Sequence, residues 1–156
     1  MTGWLLDTNI LSELCKPRPE PRVVRFIAAR PLDDLFVSVV TFAEIRFGIE
    51  RAPSLAQRAA LHDWLTHRLR PMFARRTLPI SEDVMFKWRL LVEEGRRAGH
   101  AFPQPDLIIA ATALLYGLTV TRDSGDFVRA RVPVFNPWAD PAPPDPQPRR
   151  AQNRRS

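Results

Sequence analysis

The stretch Trp4-Leu5-Leu6-Asp7-Thr8-Asn9-Ile10-Leu11-Ser12-Glu13 sets an aspartate between two apolar patterns of different period. Trp4–Leu6 reads as a short buried strand ending at Asp7. Residues 10–15 read as a brief helix, stopped by the cluster Pro17, Pro19 and Pro21. Working outward, Val23, Val24, Phe26 and Ile27 recur at helical spacing within Arg22–Arg30. Leu35–Val40 is apolar and β-branched and predicts a second strand, followed by helices over 42–50 and 54–69. Leu78–Ile80 predicts a third strand, and 82–98 a helix. Pro105 and Asp106 open an almost wholly apolar helix over 107–116, ended by Gly117. Leu118–Thr121 and Val132–Phe135 complete the strands. Strands alternating with helices imply an α/β fold, a short parallel sheet covered on both faces.

The 156 residues suit one domain, which can bury a single core without staples. Cys15 is the one cysteine, so no intramolecular disulfide can form, and a reducing cytoplasmic compartment is expected. Met1–Leu6 is too short for a signal peptide before charged Asp7, and no apolar run reaches the roughly 20 residues of a membrane span. After Trp138 the chain turns to proline, arginine and polar residues without periodicity. The folded domain is therefore expected over 1–138, with a disordered Pro/Arg-rich tail over 139–156.

The net charge is +6, from 23 basic and 17 acidic residues, and only Lys16 and Lys87 are lysine. Arginine suits phosphate recognition, because its planar fork bonds two oxygens at once. A codon bias toward arginine explains the excess equally well, so the charge permits a nucleic-acid partner without establishing one.

Four acidic positions stand out by placement. Asp7 follows the first strand, Glu44 falls in the first turn after the second, and Asp106 opens the apolar helix. Asp123 lies just past Leu118–Thr121, with Asp126 close behind. In open α/β sheets ligands bind beyond the carboxyl ends of the strands, the edge to which Asp7, Glu44 and Asp123 belong. Asp106 joins them only if its helix begins nearby.

Each acid also has a structural use. Asp7 can cap the following helix, and Thr41-Phe42-Ala43-Glu44 fits a capping box. Asp106 suits the helix dipole, and Asp123 and Asp126 are good turn residues. Together they point elsewhere. Two carboxylates about 4 Å apart repel by roughly 4 kcal/mol at an effective dielectric of 20, so a cluster calls for a cation. Oxygen-only ligands suit Mg²⁺ or Mn²⁺, which can activate water and stabilise charge on a phosphodiester.

Other chemistries fit poorly. His62, His67 and His100 lack zinc spacing, and His62 and His67 suit a solvated helix face. The six glycines form no phosphate loop. Ser12 and Ser38 lack a nucleophile elbow. Trp4, Trp64, Trp88 and Trp138 are too dispersed for a stacking platform, and packing is their expected use.

Four segments resemble the motifs of PIN domains, the fold of VapC-type toxins. They are Leu5–Glu13, Val39–Ile49, Asp106–Ala113, and Val120–Asp123 through Asp126-Phe127. The ending Val132-Pro133-Val134-Phe135-Asn136-Pro137-Trp138 is similar to the FitB subgroup, and the match runs in order over about residues 4–138. The resemblance implies a PIN-like three-layer sandwich and magnesium-dependent cleavage of RNA. It further implies a cognate antitoxin inserted into the active-site groove, a homodimer, and operator DNA bound only through the antitoxin complex. By matching positions Asp7, Glu44 and Asp106 correspond to the first three family acids. The fourth is Asp123, as in FitB-like proteins, or Asp126, as in many VapC toxins; Asp123 is favoured. Thr8, Asn9 and Thr121 are expected to support the site by hydrogen bonding.

The expected toxin would hold Mg²⁺ (or Mn²⁺) on Asp7 and Asp106, with Glu44 and Asp123 completing the set partly through water. One rival is a catalytically weak PIN-fold binding module, whose acids receive an antitoxin arginine and which acts in operator repression. Another is a phosphatase or receiver-like domain, which also uses an aspartate after the first strand. Asn9 and the two isolated lysines suit that reading poorly.

Overall fold

A computed structural model of the chain describes residues 3–101, 103–122 and 131–144. The described strands are β1 Gly3–Leu6, β2 Leu35–Ser38, β3 Thr77–Leu78, β4 Leu118–Thr121 and β5 Val134–Phe135. All pair in parallel, in the order β3-β2-β1-β4-β5. The helices are α1 Thr8–Leu14, α2 Pro21–Ala28, α3 Val39–Glu50, α4 Leu55–Trp64, α5 Arg70–Met72, α6 Glu82–Arg97 and α7 Gln104–Tyr116.

Period-two alternation along the strands divides the interior into two cores. Leu5, Leu118 and Val120 face one side, where Leu91 of α6 and Leu107, Ile109, Ala110 and Ala113 of α7 cover them. Leu6, Leu35 and Val37 face the other, under Ile10 and Leu11 of α1, Val23 and Phe26 of α2, and Phe42 and Ile45 of α3. The three-layer α/β/α sandwich expected from the alternation of strands and helices is the architecture found.

Several boundaries move, each for a local reason. The second strand stops at Ser38, not Val40, because the Ser38 hydroxyl accepts the Val40 N–H at 3.1 Å and turns the chain into α3. β3 stops at Leu78 because Pro79 has no N–H to extend the ladder, and Pro133 delays β5 in the same way. The helix expected over 54–69 runs on through a π-helical turn, Leu65–Leu69, into α5. Pro71 removes the bond to residue 67 and crowds its carbonyl, which the wider turn accommodates. Gly117 ends α7 in the left-handed conformation, with φ 66°, as its position predicts.

α2 is fastened to the sheet by an aromatic cluster. Trp4 and Phe26 meet edge to face at 5.0 Å, and Phe26 and Phe135 lie 4.9 Å apart. The Arg30 guanidinium stacks 4.3 Å from the Phe26 ring centre. Trp64 and Trp138 pack against the same core, and the Trp88 indole N–H donates to Gln104 Oε1 at 3.0 Å. All four tryptophans therefore serve packing or local bonding.

Past Trp138 the chain keeps local contacts with the rest of the structure. The Asn136 N–H donates to the Asp140 carboxylate at 2.7 Å, and Arg22 donates to the carbonyls of Trp138 and Asp140, each at 2.7 Å. Residues 145–156 of the expected disordered tail lie outside the described residues. No helix among the described residues is long and apolar enough to cross a membrane.

Candidate metal centre and its arginine

The strand order places a topological switch point between β1 and β4. The chain winds outward from β1 to β3, then returns to the opposite side of β1 with β4 and β5. The carboxyl ends of the two strands at such a point splay their following segments apart and leave a crevice. β1 and β4 end in register, Leu6 opposite Thr121, and the Asp7 N–H donates to the Thr121 carbonyl at 3.2 Å. Asp7 and Arg122 therefore leave adjacent strands side by side.

Asp7 is the N-cap residue of α1, yet its side chain makes no capping hydrogen bond. The simple capping use of this aspartate is thereby replaced. Its carboxylate is buried and lies 3.9 Å from Arg122 Nε. A carboxylate with 4% exposure would lose several kcal/mol of hydration without a compensating cation.

Asp106 arrives from another direction. α7 precedes β4 and runs antiparallel to it, so the helix starts at the edge where β1 and β4 end. Pro105 and Asp106 occupy its first turn, where the dipole favours a carboxylate. Asp106 Oδ2 lies 3.4 Å from Arg122 Nη1. Arg122 thus draws together two acids separated by 99 positions in sequence, on one guanidinium whose side chain is 12% exposed.

The remaining expected residues are placed unevenly. Glu44 is the sixth residue of α3, not in its first turn, because the helix begins at Val39 under the Ser38 cap. That also overturns the capping box, since Thr41 lies inside the helix, fully buried. Glu44 is exposed, and among the described residues no ion pair or hydrogen bond joins it to Asp7 or Asp106. Thr121 is buried and its hydroxyl donates to the Leu5 carbonyl at 3.4 Å, tying β4 to β1 beneath the crevice. Thr8 and Asn9 are half-buried in the first turn of α1. Asp123 and Asp126 lie outside the described residues.

Among the described residues no three histidine, cysteine or acidic side chains form a ready metal cage. Two carboxylates converge instead, with an arginine as their cation. Their oxygen-only donor set fits a hard divalent ion, and the guanidinium stands where positive charge is required. Nothing in the sequence alone singles out Arg122. Only the β1–β4 register reveals that a basic residue immediately after Thr121 sits beside Asp7.

His62 and His67 are exposed, paired with Glu50 and Asp63 on helical surfaces, as solvated residues. Glu13 is a structural acid: it accepts from Lys16 and, at 2.8 Å, from the Glu20 N–H at the start of α2. Lys16 and that backbone bond hold its carboxyl below the usual range.

The PIN domain family model matches residues 4–132. Toxin FitB of Neisseria gonorrhoeae is 39% identical over 137 residues, covering 87% of this chain and 99% of that protein. VapC ribonuclease Y4jK of Sinorhizobium fredii is 35% identical, covering 86% of this chain and 96% of that protein. Among solved structures, FitAcB from Neisseria gonorrhoeae superposes with a TM-score of 0.82 at 37% identity, over 86% of this chain and 98% of the matched one. The structure of FitAB bound to the IR36 DNA fragment matches with the same TM-score at 35% identity, covering 88% and 97%. With its three-layer fold and its acids at the β1–β4 crevice, the chain belongs to the PIN-domain family.

Proposed function

We propose that the protein is the toxin of a type II toxin–antitoxin system, a metal-dependent endoribonuclease that hydrolyses RNA phosphodiester bonds. The convergence of Asp7 and Asp106 on a shared cation at the switch point carries this reading. The names of its relatives, a toxin and a VapC ribonuclease, support it. Asp7 and Asp106 would hold Mg²⁺ (or Mn²⁺), with Glu44 and Asp123 or Asp126 as further acids of the site and Thr8, Asn9 and Thr121 in support. The bound metal would supply Lewis-acid stabilisation of a phosphate oxygen and a more acidic water. The chain's part is positional. The β1–β4 register fixes the Asp7 carboxylate, the first turn of α7 fixes that of Asp106, and either could orient a water toward the phosphorus.

The proposed partners are a cognate antitoxin, RNA as substrate, operator DNA through the antitoxin complex, and a second copy of the chain. The matched FitAB structure is a complex bound to DNA, which favours the assembly. Exposed apolar side chains on α6 and α7, including Phe86 at 65% and Leu90, Leu115 and Tyr116, provide surface for a second copy to cover. The proposed site of action is the cytoplasm.

The DNA-bound FitAB structure also favours a second reading, a PIN-fold binding module that represses with its antitoxin and cleaves RNA weakly. Induction in a bacterial host separates the two. Growth arrest with discrete RNA fragments, both abolished by Asp7→Asn, is expected of the nuclease. Soluble protein that causes neither would leave the binding module.

A further inference from the structure

We propose that Arg122 is an internal counter-cation that a divalent ion must displace from the Asp7–Asp106 pair, and that a phosphodiester receives the displaced guanidinium. This rests on the nuclease reading and adds to it a coupling between metal and substrate.

The geometry sets up a competition for the same charge. Arg122 Nε lies 3.9 Å from Asp7 Oδ2 and Nη1 lies 3.4 Å from Asp106 Oδ2, so the guanidinium spans the two carboxylates a metal would use. A divalent ion on the same carboxylates would set two cations side by side in a crevice where Asp7 is buried and screening is weak. A phosphodiester offers the displaced guanidinium a negative partner. The planar fork of arginine also matches two phosphate oxygens.

The anchor of this side chain is rigid. The Arg122 N–H donates to the Phe135 carbonyl of β5 at 3.1 Å, and the preceding residue is locked in the β1–β4 ladder. A swing of the guanidinium therefore leaves the strand ends in place. The apo protein keeps its buried aspartate neutralised, and metal binds favourably once a phosphodiester accepts the Arg122 guanidinium.

The test is calorimetric titration of Mn²⁺ into the full-length wild type, Arg122→Gln and Arg122→Lys, with and without a phosphorothioate DNA oligonucleotide. Arg122→Gln should bind Mn²⁺ about tenfold more tightly than wild type, about 1.4 kcal/mol. Arg122→Lys, whose single ammonium cannot span both acids, should fall between them. The oligonucleotide should tighten Mn²⁺ binding to wild type by a larger factor than it tightens that of Arg122→Gln. Equal or weaker Mn²⁺ binding by Arg122→Gln would overturn the proposal, as would indifference of the wild type to the oligonucleotide. Should Arg122→Gln fail to fold, Arg122→Lys decides in the same way, with tighter binding expected and equal or weaker binding fatal. RNA cleavage by the same wild-type preparation is measured separately. Its absence, alongside tighter Mn²⁺ binding by the variants, would sink the nuclease reading and leave the cation exchange standing.

Discussion

Asp7 and Arg122 occupy equivalent places at the ends of two neighbouring parallel strands, with Arg122 Nε 3.9 Å from Asp7 Oδ2. Neither partner is a loop residue free to wander. The Asp7 N–H is bonded to Thr121 and the Arg122 N–H to Phe135, so the pairing is built into the sheet. The same register that closes the sheet therefore delivers one acid and one cation to the crevice, and α7 supplies the second acid from the opposite side.

Asp7→Asn tests the acid. Asparagine keeps the shape but removes the charge that a hard cation needs. RNA cleavage should fall by at least about 100-fold, more than the roughly 10–100-fold typical of losing an outer partner of a metal site. Circular dichroism should show the fold intact. Metal-dependent cleavage at wild-type rate by the folded variant would remove Asp7 from the site.

Ser38→Ala tests where α3 begins. The hydroxyl is buried and accepts the Val40 N–H, so its loss leaves an orphan donor at the helix start. The expected cost is about 1 kcal/mol, a drop of roughly 2–4 °C in Tm for a chain of this size. If Thr41 were the cap, as the Thr41–Glu44 spacing suggests, Thr41→Ala would carry that cost and Ser38→Ala would be nearly neutral.

Long apolar signals were legible in the sequence, and single-residue geometry was not. The helix opened by Pro105 and Asp106 and closed by Gly117 was placed to within a few residues, because proline, an apolar run and glycine all agree there. The start of α3 is not legible in the sequence because Val39 and Val40 are β-branched and read as strand, whereas one hydroxyl on Ser38 turns the chain. Asp7 and Asp106 were recognisable as candidates by placement. That Arg122 joins them could not be read, since it depends on β4 lying beside β1 and on α7 running antiparallel to both. Glu44 illustrates the same limit: a three-residue shift in the helix start moves it out of the first turn.

Glu13 gives the fold an acid-sensitive tie between α1 and α2. Lys16 and the Glu20 N–H bond its charged form, and its folded pKa is depressed. Such a group contributes stability above its unfolded pKa, and that contribution is lost as pH falls through the lower folded value. Urea unfolding followed from neutral to acid pH should therefore show stability declining below the usual glutamate range. Glu13→Gln should be less stable than wild type at neutral pH, with the gap closing toward acid. A gap independent of pH would mean that Glu13 acts by shape rather than charge.

Arg22 holds the segment around Asp140 against α2 by donating to the carbonyls of Trp138 and Asp140, far along the sequence from its own position. Both bonds are exposed, so removing them should cost little global stability, less than about 1 kcal/mol. Their effect is local, on the turn that Asp140 closes by accepting the Asn136 N–H. Arg22→Ala should speed amide exchange and limited proteolysis over residues 138–143 while leaving Tm nearly unchanged. The Phe26–Phe135 contact lies deeper, so β5 should stay protected in the same experiment. If exchange over 138–143 matched wild type, the Asp140 turn alone would be holding the segment. If β5 opened with it, the clamp would be part of the core instead of a fastening on its edge.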